Sequence, residues 1–181
     1  MAESTSTDVL RLRRNPLGET RLDVRSPRLT ITQDPFRTLI DVCGAGARLP
    51  SMAEYGAWAW QLGPDWWLVD APVADAPGFE TALAVQLREE LGPYFNAIDV
   101  SAHRTTFVLR GLDALHVLSH GTSLDLHPTV YGVGACVQGI LAKTQVVLGC
   151  TSEEPEIRLF VRASFARHVA AWLVDASREY V

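Results

Sequence analysis

Between residues 57 and 62 the side chains alternate in size with a period of two, and the turn and apolar run that follow constrain 57–69 to a strand pair. In Ala57-Trp58-Ala59-Trp60-Gln61-Leu62 an extended backbone puts Trp58, Trp60 and Leu62 on one face. Gly63-Pro64-Asp65 supplies a turn, and Trp66-Trp67-Leu68-Val69 returns. Four of the five tryptophans lie in this hairpin. Tryptophan carries a large apolar area, so the concentration reads as one face of a core. A tryptophan left unpacked would instead mark a partner interface.

Around the hairpin the period switches between two and 3.6. Short β-like runs cover 20–24, 29–32 and 36–43, separated by Pro27 and Pro35. A helix is predicted over 78–91, with Phe79, Leu83, Leu87 and Leu91 as its stripe, Ala82 beside them, and Gly92-Pro93 ending it. A strand over 104–110 precedes a short helix over 112–120. Strands over 136–142 and 145–149 flank a Lys143-Thr144 turn, and another strand covers 157–161. Ser164 is expected to cap a last helix whose face is Phe165, Val169, Trp172, Leu173, Ala176 and Tyr180. The order from residue 104 onward is strand, helix, three strands, helix, as in a ferredoxin-like split βαβ unit with an added strand. The first half reads as a partial copy. These patterns predict an α+β chain with mixed or antiparallel sheets. They divide it into a tail or arm at 1–20, an N-terminal lobe at 21–96 and a C-terminal lobe at 97–181.

Composition narrows the function classes. The formal net charge of −5 argues against nucleic acid as a partner, because phosphate contacts need a basic face. Cys43, Cys136 and Cys150 lack CxxC spacing and are odd in number. They read as small buried hydrophobes in a reducing compartment. The polar start of the sequence has no signal-like apolar run, and no stretch is apolar enough to span a bilayer, so a cytoplasmic protein without membrane contact is expected.

Candidate chemistry is sparse. Gly44-Ala45-Gly46 follows an apolar strand but lacks the third glycine of a dinucleotide fingerprint, and Pro50-Ser51 interrupts the helix that should follow. His116 and His120 share a helix face near Asp125 and His127, a set able in principle to hold a metal, yet His-Val-Leu-Ser-His has no glutamate to act as a base. The pairs Glu89-Glu90 and Glu153-Glu154 read as solvated. Asp99 and Ser101 predict a local side-chain turn, and Asp125 is expected to accept loop amides ahead of His127-Pro128. No catalytic, cofactor-binding or metal residue is assigned. Asp125, Leu126 and His127 are the candidate partner-contact residues.

Five segments in order carry a resemblance: Leu-Gly-Pro-Asp-Trp-Trp-Leu (62–68), Asp-Val-Ser-Ala-His-Arg-Thr-Thr-Phe-Val-Leu-Arg-Gly (99–111), Ser-Leu-Asp-Leu-His-Pro (123–128), Gly-Ala-Cys-Val-Gln (134–138) and Phe-Val-Arg-Ala-Ser-Phe-Ala-Arg-His-Val-Ala-Ala-Trp-Leu-Val-Asp-Ala (160–176). Together they resemble the gamma subunit of bacterial heterotetrameric sarcosine oxidase. That family is itself similar to a shortened folate-binding aminomethyltransferase T-protein. The resemblance implies paired ferredoxin-like units and a complex with alpha, beta and delta subunits. It implies oxidation of sarcosine to glycine, with hydrogen peroxide and either formaldehyde or methylenetetrahydrofolate as products.

The resemblance also implies that FAD, FMN, NAD and tetrahydrofolate sit on other subunits. The T-protein's catalytic aspartate follows the strand that matches 138–142, and here 141–148 holds no acid. No folate residue is therefore carried over. A non-catalytic subunit docked on the alpha subunit is expected. The alternative is a stand-alone folate-binding or one-carbon transfer protein.

Overall fold

A computed structural model describes residues 14–20, 22–44, 49, 52–72 and 79–181. The described strands are β1 (Asp23–Ser26), β2 (Leu29–Asp34), β3 (Thr38–Cys43), β4 (Trp58–Gly63), β5 (Trp66–Ala71), β6 (Asn96–Asp99), β7 (Arg104–Arg110), β8 (Cys136–Leu141), β9 (Thr144–Ser152) and β10 (Glu156–Arg162). The described helices are α1 (Phe79–Leu91), α2 (Ala114–Ser119) and α3 (Ala166–Ala176). They form two compact units, one containing Phe36–Ala102 and the other combining Pro16–Pro35 with His103–Val181. Every sheet pairing is antiparallel, so the α+β class predicted from the sequence is the one observed. No helix among the described residues is long and apolar enough to cross a membrane.

In the first unit the sheet order is β4-β5-β3-β6. β5 and β6 both run opposite to β3, which lies between them, and α1 connects them. This is a split βαβ unit in the half read from sequence only as a partial copy. A 3-10 turn, Met52–Tyr55, stands between β3 and β4. One sheet face sends Ile40, Val42, Val69, Ala71 and Ala97 against Leu83, Ala84 and Leu87 of α1. Ala84 is buried and Ala82 exposed, so the stripe of α1 is rotated slightly from the predicted one. On the opposite face Trp58 and Trp60 stack at 5.0 Å, as side chains two apart on a strand should. Trp60 is fully buried, while Trp58, Trp66 and Trp67 are half-buried.

The second unit has the order β1-β2-β7-β10-β9-β8. β7 leads through α2 to the far edge strand β8, and the chain returns through β9 and β10 to pair with β7. Its core joins Ile31, Phe107, Leu109, Leu148, Leu159 and Val161 from the strands to Val117, Leu118, Val169 and Leu173 from the helices.

Several expectations change. The linear division at 96/97 gives way to a discontinuous one, because Thr30–Asp34 pair in register with Arg110–Thr106 and Leu29 and Ile31 enter the second core. Most of the proposed arm lies outside the described residues. Leu17 is buried and belongs to the second core, so the segment after Pro16 is not a tail. The β8–β9 turn is Ala142-Lys143, not Lys143-Thr144, with both residues left-handed (φ 48° and 66°). Ser164 does not cap α3: residues 163–165 form a 3-10 turn, and the cap position, Phe165, makes no side-chain cap bond. Phe165 is exposed, so it leaves the predicted core face. Gly121 ends α2 for a different reason from the left-handed cap that a terminal glycine suggests. A Cβ there would lie 2.4 Å from the Trp172 ring, so the glycine is needed for close approach.

Candidate functional site

Loop 122–135 joins α2 to β8 in the second unit and carries the three predicted contact residues. The Asp125 carboxylate accepts the His127 amide at 2.9 Å, the local turn that aspartate two residues ahead of an amide favours. The His127 carbonyl accepts the amides of Val130 and Tyr131, and its Nδ1 lies 2.7 Å from the Thr129 hydroxyl. Asp125 and His127 are exposed. Leu126 is not: it is 6% exposed and part of the core, so its side chain anchors the loop and is unavailable to a partner. The loop thus presents two polar side chains on an apolar anchor.

Within the same loop Tyr131 is 2% exposed, and its hydroxyl has no hydrogen-bond partner. Burial raises its pKa strongly, with the neighbouring Cys150 and Cys136 adding to the shift. Burial also pushes the Cys136 thiol up to about 12 and raises that of Cys150, which donates to the Ser152 carbonyl. Thiols shifted upward hold little thiolate near neutrality and are poor nucleophiles. A buried hydroxyl without a partner costs about 1–3 kcal/mol. Tyr131→Phe is therefore expected to leave stability unchanged or raise it by up to about 1 kcal/mol. Urea denaturation checks this; a loss larger than that gain would mean that the hydroxyl is bonded.

The other candidates are spread apart. His116 lies 3.6 Å from Asp113, whereas His120 Nε2 meets the Tyr180 hydroxyl at 2.9 Å. His127 is engaged within its own loop. Among the described residues no group of three or more His, Cys, Asp or Glu side chains is placed to hold a metal ion. Cys43 is exposed, which corrects its reading as buried; partial burial and the Asp41 carboxylate raise its pKa. Residues 45–48 lie outside the described part of the chain. Gly44 is explained by the Phe95 ring, which a Cβ would approach to 2.2 Å. Both glutamate pairs are exposed, as expected. Asp99 accepts the amide and hydroxyl of Ser101, whose Oγ in turn accepts the Leu39 amide at 2.9 Å, closing the end of the β3–β6 pair.

Two charged constellations escaped the sequence reading. In the first unit Arg37 Nε donates to Asp70 at 2.7 Å, both side chains nearly sealed from solvent, and Trp60 Nε1 lies 3.5 Å from the other carboxylate oxygen. In the second unit a cleft of about 290 Å³ includes Arg28, Arg110, Gly111, Glu154 and Glu156 in its wall. Arg28 grips Asp113 with two bonds of 2.8 and 2.9 Å, and this fork holds the Asp113 carboxyl below its ordinary range. Burial alone would raise the Glu156 pKa, but Arg110, Thr151 and Arg158 outweigh it and leave the net shift downward. The guanidiniums of this cleft are engaged by carboxylates, an arrangement that braces β2, β7 and β10.

A third feature is visible in the sequence itself. From Pro128 to Ser152 Lys143 is the only charged side chain. In this stretch Val130, Val133 and Ile140 are exposed at 67%, 50% and 52%.

The comparisons with known proteins agree with one another. The model of the sarcosine oxidase, gamma subunit family matches residues 45–179. A protein named sarcosine oxidase subunit gamma from Corynebacterium sp. (strain U-96) is 36% identical over 119 residues, covering 66% of this chain and 55% of the relative. One of the same name from Arthrobacter sp. is 37% identical over 128 residues, covering 71% and 60%. The matched part of the chain therefore spans little more than half the length of these relatives. Among solved structures, a chain of the heterotetrameric sarcosine oxidase from Corynebacterium sp. U-96, in complex with pyrrole 2-carboxylate, superposes with a TM-score of 0.78 at 28% identity, covering 93% of this chain and 96% of that one. The glycine cleavage system aminomethyltransferase T from Bartonella henselae gives 0.56 at 15% identity, covering 83% and 46%, and shares the fold.

Proposed function

The chain belongs to the sarcosine oxidase gamma subunit family, and on that premise we propose that it is a non-catalytic subunit of a heterotetrameric sarcosine oxidase. In this reading it docks on the alpha subunit, with beta and delta subunits completing the assembly. The assembly converts sarcosine to glycine and releases hydrogen peroxide with formaldehyde or methylenetetrahydrofolate. FAD, FMN, NAD and tetrahydrofolate belong to the other subunits, and this chain holds the geometry of the complex.

The observation that carries the reading is the likeness, over nearly the whole length of both chains, to a chain of a heterotetrameric oxidase. A second observation supports the non-catalytic part. Several polar groups singled out by sequence are engaged in local structure: Asp99 with Ser101, Asp125 with its own loop, and His120 with Tyr180. A general acid or base needs a group within hydrogen-bond reach of substrate. These groups instead close turns and pin the C-terminus.

The test is co-expression of the tagged chain with the three flavoprotein and accessory subunits, followed by affinity capture. Stoichiometric recovery of all four is expected. Capture of the chain alone would refute the reading. A titration of the isolated chain with tetrahydrofolate adds a second arm: micromolar binding would move the folate site onto this chain.

A further inference from the structure

The ends of five strands, β1, β2, β7, β9 and β10, contribute to the cleft of about 290 Å³ in the second unit. Thr30, Arg110, Glu156 and Ser152 stand opposite one another along β2, β7, β10 and β9, so their side chains share one sheet face. The turns at this end add Arg28, between β1 and β2, and Glu154, between β9 and β10. The wall therefore holds hydroxyls and charges of both signs. Its volume lies at the lower bound of the roughly 300–1,000 Å³ that ligand pockets occupy, so the ligand that fits it is small and polar.

The charged groups divide into held and unanswered ones. Asp113 takes Nε and one terminal nitrogen of Arg28, which leaves the other terminal nitrogen without a partner among the described residues. Glu156 takes only Nε of Arg110, at 2.7 Å, which leaves both of its terminal nitrogens. Each guanidinium is thus charge-balanced and fixed in orientation, yet keeps N–H donors to offer, at side-chain exposures of 59% and 51%. A fork already held in place loses less freedom on meeting a carboxylate than a loose one. Glu154 is the opposite case. It is exposed and has no hydrogen-bond or ion-pair partner among the described residues.

These two conditions select the ligand class. Guanidinium donors are answered by a carboxylate. The unpaired Glu154 carboxylate is answered by a cation and repels further negative charge, which disfavours phosphate and dicarboxylates. We propose that this cleft binds a small α-amino acid as its zwitterion, with the carboxylate on Arg110 and Arg28 and the ammonium on Glu154. Sarcosine and glycine, substrate and product of the proposed oxidase, both belong to that class. The site does not rest on that reading, because every group in it belongs to this chain.

Titration of the isotope-labelled full chain with glycine, followed through its amide NMR signals, tests the site. The amides of Arg28, Thr30, Arg110, Gly111 and Glu154 are expected to shift together and to saturate in the millimolar range. Acetate and methylammonium each carry one half of the zwitterion and should bind about ten-fold more weakly or worse. Glu154→Gln changes an exposed side chain and should weaken glycine by about ten-fold while leaving acetate unchanged. Arg110→Lys keeps a positive charge opposite Glu156 but removes the fork, and should weaken glycine and acetate alike. Shifts that do not saturate, or that sodium chloride reproduces, would overturn the site. Undiminished glycine binding by Glu154→Gln, or acetate binding as tightly as glycine, would overturn the zwitterion assignment. Because the isolated chain is titrated, either result leaves the oxidase-subunit reading standing.

Discussion

Alanine at Gly111 is expected to cost the second unit far more stability than a single methyl normally does. Gly111 follows β7 with φ at +107°, a conformation that L residues rarely adopt. A Cβ there would lie 2.2 Å from the Arg28 carbonyl oxygen and 2.7 Å from its carbon. Both are backbone atoms, so no rotamer change relieves the overlap. Arg28 also cannot retreat freely. Its carbonyl accepts the Asp113 amide, its side chain grips Asp113, and Leu29 beside it begins the core strand β2. Backbone strain alone costs about 1–3 kcal/mol, and the overlap adds to it. Gly134→Ala is the internal control. Gly134 also has positive φ, +82°, but nothing lies within 4 Å of its virtual Cβ, so alanine there suffers the strain without the overlap. Urea denaturation of the two variants should rank Gly111→Ala clearly below Gly134→Ala. Equal losses would contradict the close approach.

Asp70→Ala is expected to destabilise the first unit by about 3–5 kcal/mol, because it removes the carboxylate that balances the Arg37 guanidinium charge in a buried site. Asp70 is fully buried, and the Arg37 side chain is 9% exposed. Removing both charges should hurt less than removing one. Arg37→Met with Asp70→Leu replaces the pair by apolar groups of similar bulk, and such exchanges are often neutral or stabilising. The chemical midpoint of the double variant should therefore exceed that of Asp70→Ala. A double variant less stable than the single one would show that the pair contributes through specific bonds and not mainly by avoiding an unpaired charge.

Much of the fold is written in local patterns. The Trp58–Trp67 hairpin and the existence of α1 follow from side-chain period, whereas β7, buried on both faces from Thr105 to Leu109, is legible as a short apolar run bounded by charges. What local pattern misses is pairing at a distance. β1 and β2 look like neighbours of β3, yet β2 pairs with β7, more than seventy residues away in sequence at Thr30–Arg110. Asn96–Asp99 has too few apolar residues to announce a strand; its role is set by the β3 edge it covers. The Arg37–Asp70 and Arg28–Asp113 pairs were hidden for the same reason, because their partners meet only in the folded chain.

For the candidate site, the local bond from Asp125 to the His127 amide was legible, since an acceptor two residues before an amide needs no tertiary context. The inward turn of Leu126 was not, because an alternating loop has no intrinsic inside. The uncharged run from Pro128 to Ala142 was visible in the sequence throughout. That its second half is the last strand of the six-stranded sheet appears only in the fold.

The measurement that bears most directly on the account is the native mass of the complex formed when this chain is co-expressed with alpha, beta and delta subunits. The account predicts one species containing all four chains, with the 19.9 kDa chain present once per alpha subunit. A complete, active three-subunit assembly, with this chain eluting separately at its own mass, would contradict it.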